Sequence, residues 1–521
     1  MKKIYSNKKI LSFILVCALV LSNTSFSVIA LETDGLSSNG SIEEATINTV
    51  VPQGYREDTI ESISEEELKT VAVGEKTLTE LKQMTVDVDS LPVFINSNTA
   101  VQKGHVNRLD EQENDLNTVI FQNKDGSKTT YIFKNPVKYI DDNGDIRDKN
   151  TNISVFNGRD YKYAATDNII KTYFPNQSND GVKIDFHHFS IVTSPVSDKV
   201  ATPIKIDDNT IRYDNVFGDN TSIVYYTEIN GVKEDIVLYK YTENNEFQFE
   251  LNVANLVPFE SNGIWYLKNS QQKIVGAFGR IIVRDNGGNT TEGTMDIVPS
   301  AEKGKYLITI AVSKDFLTSE STIYPVCIDP STYILEDGTY YYIDENGYEH
   351  YVYYNAIEDT GLYSAQSGVT NALNNQDYHR LGRYNSVDGK IVYKLYDFYG
   401  QYGQYKYLKP SQIGSVHLCI NVNSGAGATL SVNPMVNTWD TSIVGDNPIA
   451  IYDSTLWSAY STNNVCSYSL PSSAGEYSID ITQIVRGWAR FNSGESSDIY
   501  NNPSLGFVLS SNSTSSRNVH L

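Results

Sequence analysis

Carboxylates are the most numerous reactive groups in this chain of 521 residues, with 63 Asp and Glu against 41 Lys and Arg. Two of them held roughly 5–10 Å apart would suit glycosidic hydrolysis. With acids this common, pairs at that spacing arise by chance, so their number singles out none. The seven histidines are scattered, and only His187 and His188 are adjacent. Strand neighbours point to opposite faces, so such a pair does not hold one metal. The chain carries no HExxH, GxSxG, phosphate-binding Walker loop or CxxC. These readings predict a protein that is not an enzyme. Asp141-Asp142-Asn143-Gly144-Asp145 resembles the start of a calcium loop, yet the twelfth position is Asn152 where a Glu is needed. A hairpin turn explains it better. Cys327, Cys419 and Cys466 form neither a disulfide framework nor a metal pair. Cys327 reads as a small buried hydrophobe in a strand, and pairing of Cys419 with Cys466 stays open.

Aromatic side chains on polar loops are the better candidates for contact with a ligand. Trp457 and Tyr460 lie in Leu456-Trp457-Ser458-Ala459-Tyr460. Tyr402, Tyr405 and Tyr407 belong to a loop, 399–407, that alternates Tyr with small or polar residues. Exposed rings of this kind stack on sugar faces. Arg380 and Arg383 sit beside a strand and suit a carboxylate.

The elements that must position these residues are mostly strands. Residues 1–30 read as a cleavable signal peptide: a lysine-rich start, the apolar run Ile10 to Leu21, then Val28-Ile29-Ala30. The expected location is therefore secreted, extracellular or cell-wall associated, with no membrane insertion after signal cleavage. Residues 31–105 form an acidic, partly helical, poorly packed segment with a capping box at Ser64 to Glu67. Residues 106–335 give strand after strand. Asp125-Gly126, Asn143-Gly144, Asn230-Gly231 and Asn286-Gly287 mark turns between β-rich runs. A Tyr-rich connector, 336–356, leads to a second β domain, 357–521, ending on strand-like Val519-His520-Leu521. Ser/Asn/Gly-rich loops are expected over 454–475 and 492–503. The fold class is mainly β, with two β-sandwich-like domains. The net charge of −22 argues against nucleic acid as a partner.

The second domain resembles the DNRLRE domain, a carbohydrate-binding-module-like β-sandwich of surface proteins. The resemblance rests on Ile357-Glu358-Asp359-Thr360, Leu381-Gly382-Arg383, Val392 to Phe398, Ile413 to Leu418 and Asn437-Thr438-Trp439-Asp440. It continues through Tyr477 to Thr482, Val485-Arg486-Gly487-Trp488 and Asn501 to Phe507. It implies that Trp439 and Trp488 are core residues. It also raises a structural calcium held by Glu358, Asp359 and Asp480, as in many lectin-like sandwiches. The preceding region is similar to a segment of wall-associated YD-repeat (RHS-like) proteins, through Asn135-Pro136-Val137-Lys138-Tyr139, Gly231 to Leu238 and Tyr324 to Pro330. The resulting expectation is a secreted, wall-associated, non-catalytic protein that binds polysaccharide or cell-wall glycan through its last domain. The first alternative is a structural or delivery segment of a modular surface protein or toxin. The second is a polysaccharide-active enzyme.

Overall fold

The computed structural model describes the chain from residue 72 to residue 520, leaving out interior positions whose longest runs are 366–378 and 440–449. The expected signal over 1–30, the capping box at 64–67, Asn230 and the His187-His188 pair lie outside the described residues. The described part is mainly β, as the strand spacing predicts. It divides into two compact units. One holds the described residues up to Pro136 with nearly all of those from Gly338 onward, and the other is Val137–Asp337.

The described end of the acidic segment is better packed than expected. A short helix, Leu78–Gln83, is capped reciprocally by Thr77 and Glu80, and its Leu78 and Leu81 are buried. Three antiparallel strands follow: β1 (His105–Arg108), β2 (Thr118–Asn123) and β3 (Lys128–Ile132). The expected Asp-Gly turn joins β2 to β3, with Gly126 at φ 85° and the Asp125 carboxylate accepting from the Ser127 N–H. His105 is buried against Phe121 and lies 2.7 Å from Asn123 Oδ1 and 2.9 Å from the Tyr131 hydroxyl. Burial holds its pKa down to about 4, so it is a neutral, structural histidine.

This hairpin opens the expected 106–335 domain, yet it belongs to the other unit. Ile132 packs on the core of residues 381–509. Thr130 Oγ1 accepts from the Tyr405 hydroxyl at 3.2 Å, and Lys134 pairs with Asp359 at 2.8 Å. Turn signals locate a hairpin but carry no information on which distant core it joins.

In Val137–Asp337 an eight-stranded sheet and an eleven-stranded sheet share one core. The strand Glu246–Ala254 shows why: Phe247, Phe249, Leu251 and Val253 fall on alternate positions and are all buried. The opposing sheet centres on β4 (Thr221–Glu228) and β5 (Gly231–Leu238), paired along their full lengths. Asp141 closes the Lys138–Ile140 to Ile146–Asp148 hairpin by accepting from Asn143 N, Asp145 N and Arg147. That arrangement, led by the Arg147 contact, pulls its pKa down to about 2 and gives the segment the expected turn.

One core position of β5 is acidic. Glu234 lies between Val232 and Ile236, opposite Tyr225, and is 7% exposed. Its Oε1 has no hydrogen-bond partner. It faces a cavity of about 10 Å³ lined also by Thr193, Phe249, Met295 and Thr332. Burial, reinforced by Asp329 and Asp235, pushes its pKa up to about 8.

The second part of the other unit opens with the antiparallel hairpin of Thr339–Ile343 and Glu349–Tyr353 and continues with β6 (Ile357–Tyr363). The hairpin of β7 (His379–Tyr384) and β8 (Val387–Leu395) follows. Residues 454–475, expected as a loop, contain the helix α1 (Ser454–Trp457) and the strand Cys466–Leu470. Residues 482–492 form α2 (Thr482–Asn492), where the resemblance implies the sandwich's last block. Its Ile484, Val485, Trp488 and Ala489 enter the core, and Trp488 packs against Phe398 and Phe507. Gly487 leaves room there for the Asn501 side chain, whose Oδ1 an added Cβ would meet at 2.3 Å. The last strand described in detail, β9 (Phe507–Ser511), pairs with β8. Gly506 at its start has φ 71°, and a Cβ there would meet the Tyr393 carbonyl oxygen at 1.8 Å.

Candidate functional site

The charged residues of β8 build the most developed polar site. Asp388, Lys390 and Lys394 are separated by even numbers, so they share one face of the strand. Lys390 Nζ lies 3.9 Å from the Trp457 ring centroid and 4.5 Å from that of Tyr460. It also donates to the Trp457 carbonyl oxygen at 2.9 Å. Lys394 repeats the arrangement two pleat repeats further on. Its Nζ lies 4.2 Å from the Trp439 ring and donates to the Trp439 carbonyl. Each ammonium thus rests on the electron-rich face of an indole. Trp439 and Trp488 are buried at 3% and 0% exposure, the core positions that the resemblance implies.

A cavity of about 310 Å³ opens beside Lys390, lined also by Gly382, Arg383, Asp388, Trp457 and Asn512. Arg383 Nε and Nη2 each donate to one Asp388 oxygen at 2.8 Å, a bidentate fork. Arg383 accordingly lowers the Asp388 pKa. Burial lowers the Lys390 pKa to about 8, with Asp388 acting in the opposite sense.

The expected ligand-facing residues therefore separate. Trp457, Tyr460 and Arg383 gather around Lys390. Tyr405 is 6% exposed and packs on Phe398, so it belongs to the core rather than to a binding surface. Tyr407 is 73% exposed and does not line the cavity. Tyr402 and the Arg380 side chain lie outside the described residues, and the Arg380 backbone pairs with Asn518. Lys390 and Lys394 were not among the expected residues. Charges at every second position inside an apolar strand are the signal that would have found them.

Of the expected calcium ligands, Asp359 and Asp480 are each engaged elsewhere. Glu358 is the neighbour of Asp359 on β6, and its side chain lies outside the described residues. Asp359 is paired with Lys134. Asp480 lies just before α2 and accepts from the Thr482 N–H at 2.8 Å, where a carboxylate also suits the helix dipole. Among the described residues no cluster of three His, Cys, Asp or Glu could hold a metal. Cys327, Cys419 and Cys466 are not joined in disulfides. Cys327 is half-buried on its strand, and burial pushes the Cys466 thiol up to about 11.

No family model matches the chain. Over 191 residues it is 27% identical to the tRNA(Glu)-specific nuclease WapA of Bacillus subtilis subsp. natto. It is 26% identical to the tRNA nuclease WapA of Bacillus subtilis strain 168 and to the tRNA3(Ser)-specific nuclease WapA of Bacillus spizizenii. Each match covers 33% of this chain and 8% of the relative, so the chain spans only a small part of their length.

These likenesses overturn three expectations. Relatives that are tRNA nucleases contradict the reading of a protein that is not an enzyme. They contradict the exclusion of nucleic acid, and they contradict glycan binding as the chain's function. The reasoning failed at identifiable steps. Net charge describes the averaged surface of a chain and does not decide what one part of a modular protein acts on. The absent motifs belong to metalloproteases, serine hydrolases, ATPases and redox proteins, so their absence does not bear on a nuclease.

Proposed function

We propose that this chain is an exported structural and delivery segment of a toxin-type protein whose activity is directed at tRNA. The observation that carries the reading is the likeness to three nucleases named WapA over a third of the chain. Two further features support it. The lysine-rich, apolar start up to Ala30 has the order of an export signal. Residues 135–330 resemble a segment of wall-associated YD-repeat proteins. Closely packed β units with cores of their own are suited to surviving outside the cell and to spacing an active part from its anchor.

The test compares a producer strain carrying the intact gene with one lacking codons 357–521 in frame. Neighbouring cells are probed for cleaved tRNA by hybridisation. Deletion is expected to abolish cleavage in neighbours, while extracts of both strains retain it. Undiminished cleavage in neighbours would refute a delivery role. Absence of tRNA cleavage in both strains and both extracts would refute the toxin reading itself.

A further inference from the structure

We propose that the cavity beside Lys390 is a binding site for a small oxyanion group, phosphate or carboxylate. The argument begins with the charges. Asp388 is the carboxylate nearest in effect to Lys390, yet both of its oxygens are engaged by the Arg383 fork. Arg383 and Asp388 cancel, and Lys390 remains a cation with no carboxylate contact of its own among the described residues. Its neighbours among the described residues include two aromatic faces and one carbonyl oxygen. An ammonium has three N–H groups, and the Trp457 carbonyl takes one of them.

The group is also half-buried, which disfavours its charge and accounts for the lowered pKa. A half-buried cation without a counterion, at the edge of a cavity of about 310 Å³, is completed by an anion. The volume is at the lower end of small-ligand pockets. Asn512 adds a side-chain amide to the wall. Its carbonyl oxygen already accepts from the Thr429 N–H, which leaves the amide nitrogen as the donor. Trp457 supplies an apolar wall for the remainder of a ligand. In a chain of net charge −22, this local excess of one positive charge gives the site its sign. Among the described residues, the titratable group facing Lys390 besides Asp388 and Arg383 is the Tyr460 phenol.

Calorimetric titration of the whole chain tests this with inorganic phosphate, sodium acetate and adenosine monophosphate as separate probes. Saturable one-to-one binding of at least one is expected at about pH 6, at least tenfold weaker at about pH 10, where the ammonium is discharged. Phosphate and the nucleotide without acetate would define a phosphate site, and acetate alone a carboxylate site. Lys390→Met is expected to abolish binding. Lys390→Arg is expected to preserve it at both pH values, because a guanidinium stays charged. Absence of saturable binding by all three probes overturns the proposal. So does binding by Lys390→Met within twofold of the unaltered chain.

Discussion

Replacing Glu234 by Gln is expected to stabilise the Val137–Asp337 unit at about pH 8 by on the order of 3–4 kcal/mol. The sign follows from the direction of the pKa shift. The folded value is raised from 4.5 to about 8, so the folded unit keeps a proton that the unfolded chain releases. Stability is therefore greatest below the unfolded value and falls as pH rises towards the folded one. Gln occupies the same volume and cannot ionise, so the decline should flatten. Some slope will remain, because burial also raises the Asp235 and Glu228 pKa values. Thermal unfolding at about pH 5 and pH 8, with hydrogen exchange read on the amides of β5, measures the effect. Equal pH slopes in the two proteins would show that Glu234 is not the titrating group. The lone oxygen of this acid suits one buried water, since the adjoining cavity of about 10 Å³ has room for about one and both threonines offer hydroxyls.

The strands were legible where local rules are strong. Alternation in Phe247-Gln248-Phe249-Glu250-Leu251 and the Asp125-Gly126 turn each determine a local geometry with little outside help. The helix α2 was less visible. Its Val485, Trp488 and Phe491 are modest helix formers, and Gly487 is a poor one. Its apolar residues Ile484, Val485 and Trp488 nevertheless have helical spacing, which the likeness to a β-sandwich block obscured. The site shows the same limit at longer range. Trp457 stood out as an aromatic on a polar loop, but Lys390 is 67 residues away in sequence. Periodicity reports which face a residue occupies and leaves its tertiary partner undetermined. The calcium reading failed for a related reason: Asp359 and Asp480 each serve a nearer electrostatic task, one on Lys134 and one at a helix start.

Tyr405 and Tyr407 provide the sharpest test of that distinction, because they are alike in sequence and opposite in structure. Both belong to the same Tyr-rich loop, and both were expected to face a ligand. Tyr405 is buried against Phe398 and reaches Thr130 on β3, and burial raises its phenol pKa well above 10.0. Tyr405→Ala is expected to destabilise its unit by about 3–5 kcal/mol, the range for deleting a core aromatic. Tyr405→Phe keeps the ring and loses the hydroxyl bond, so about 1 kcal/mol is expected. Tyr407→Ala should change stability by less than about 0.5 kcal/mol. Urea unfolding of the whole chain separates the three. A Tyr405→Ala protein as stable as Tyr407→Ala would remove the hairpin β2–β3 from the role given to it here. A double-mutant cycle with Thr130→Val then isolates the bond itself. Coupling between positions 275 residues apart in sequence would show that the segment before Val137 completes the same core as the chain after Gly338, which no local pattern encodes.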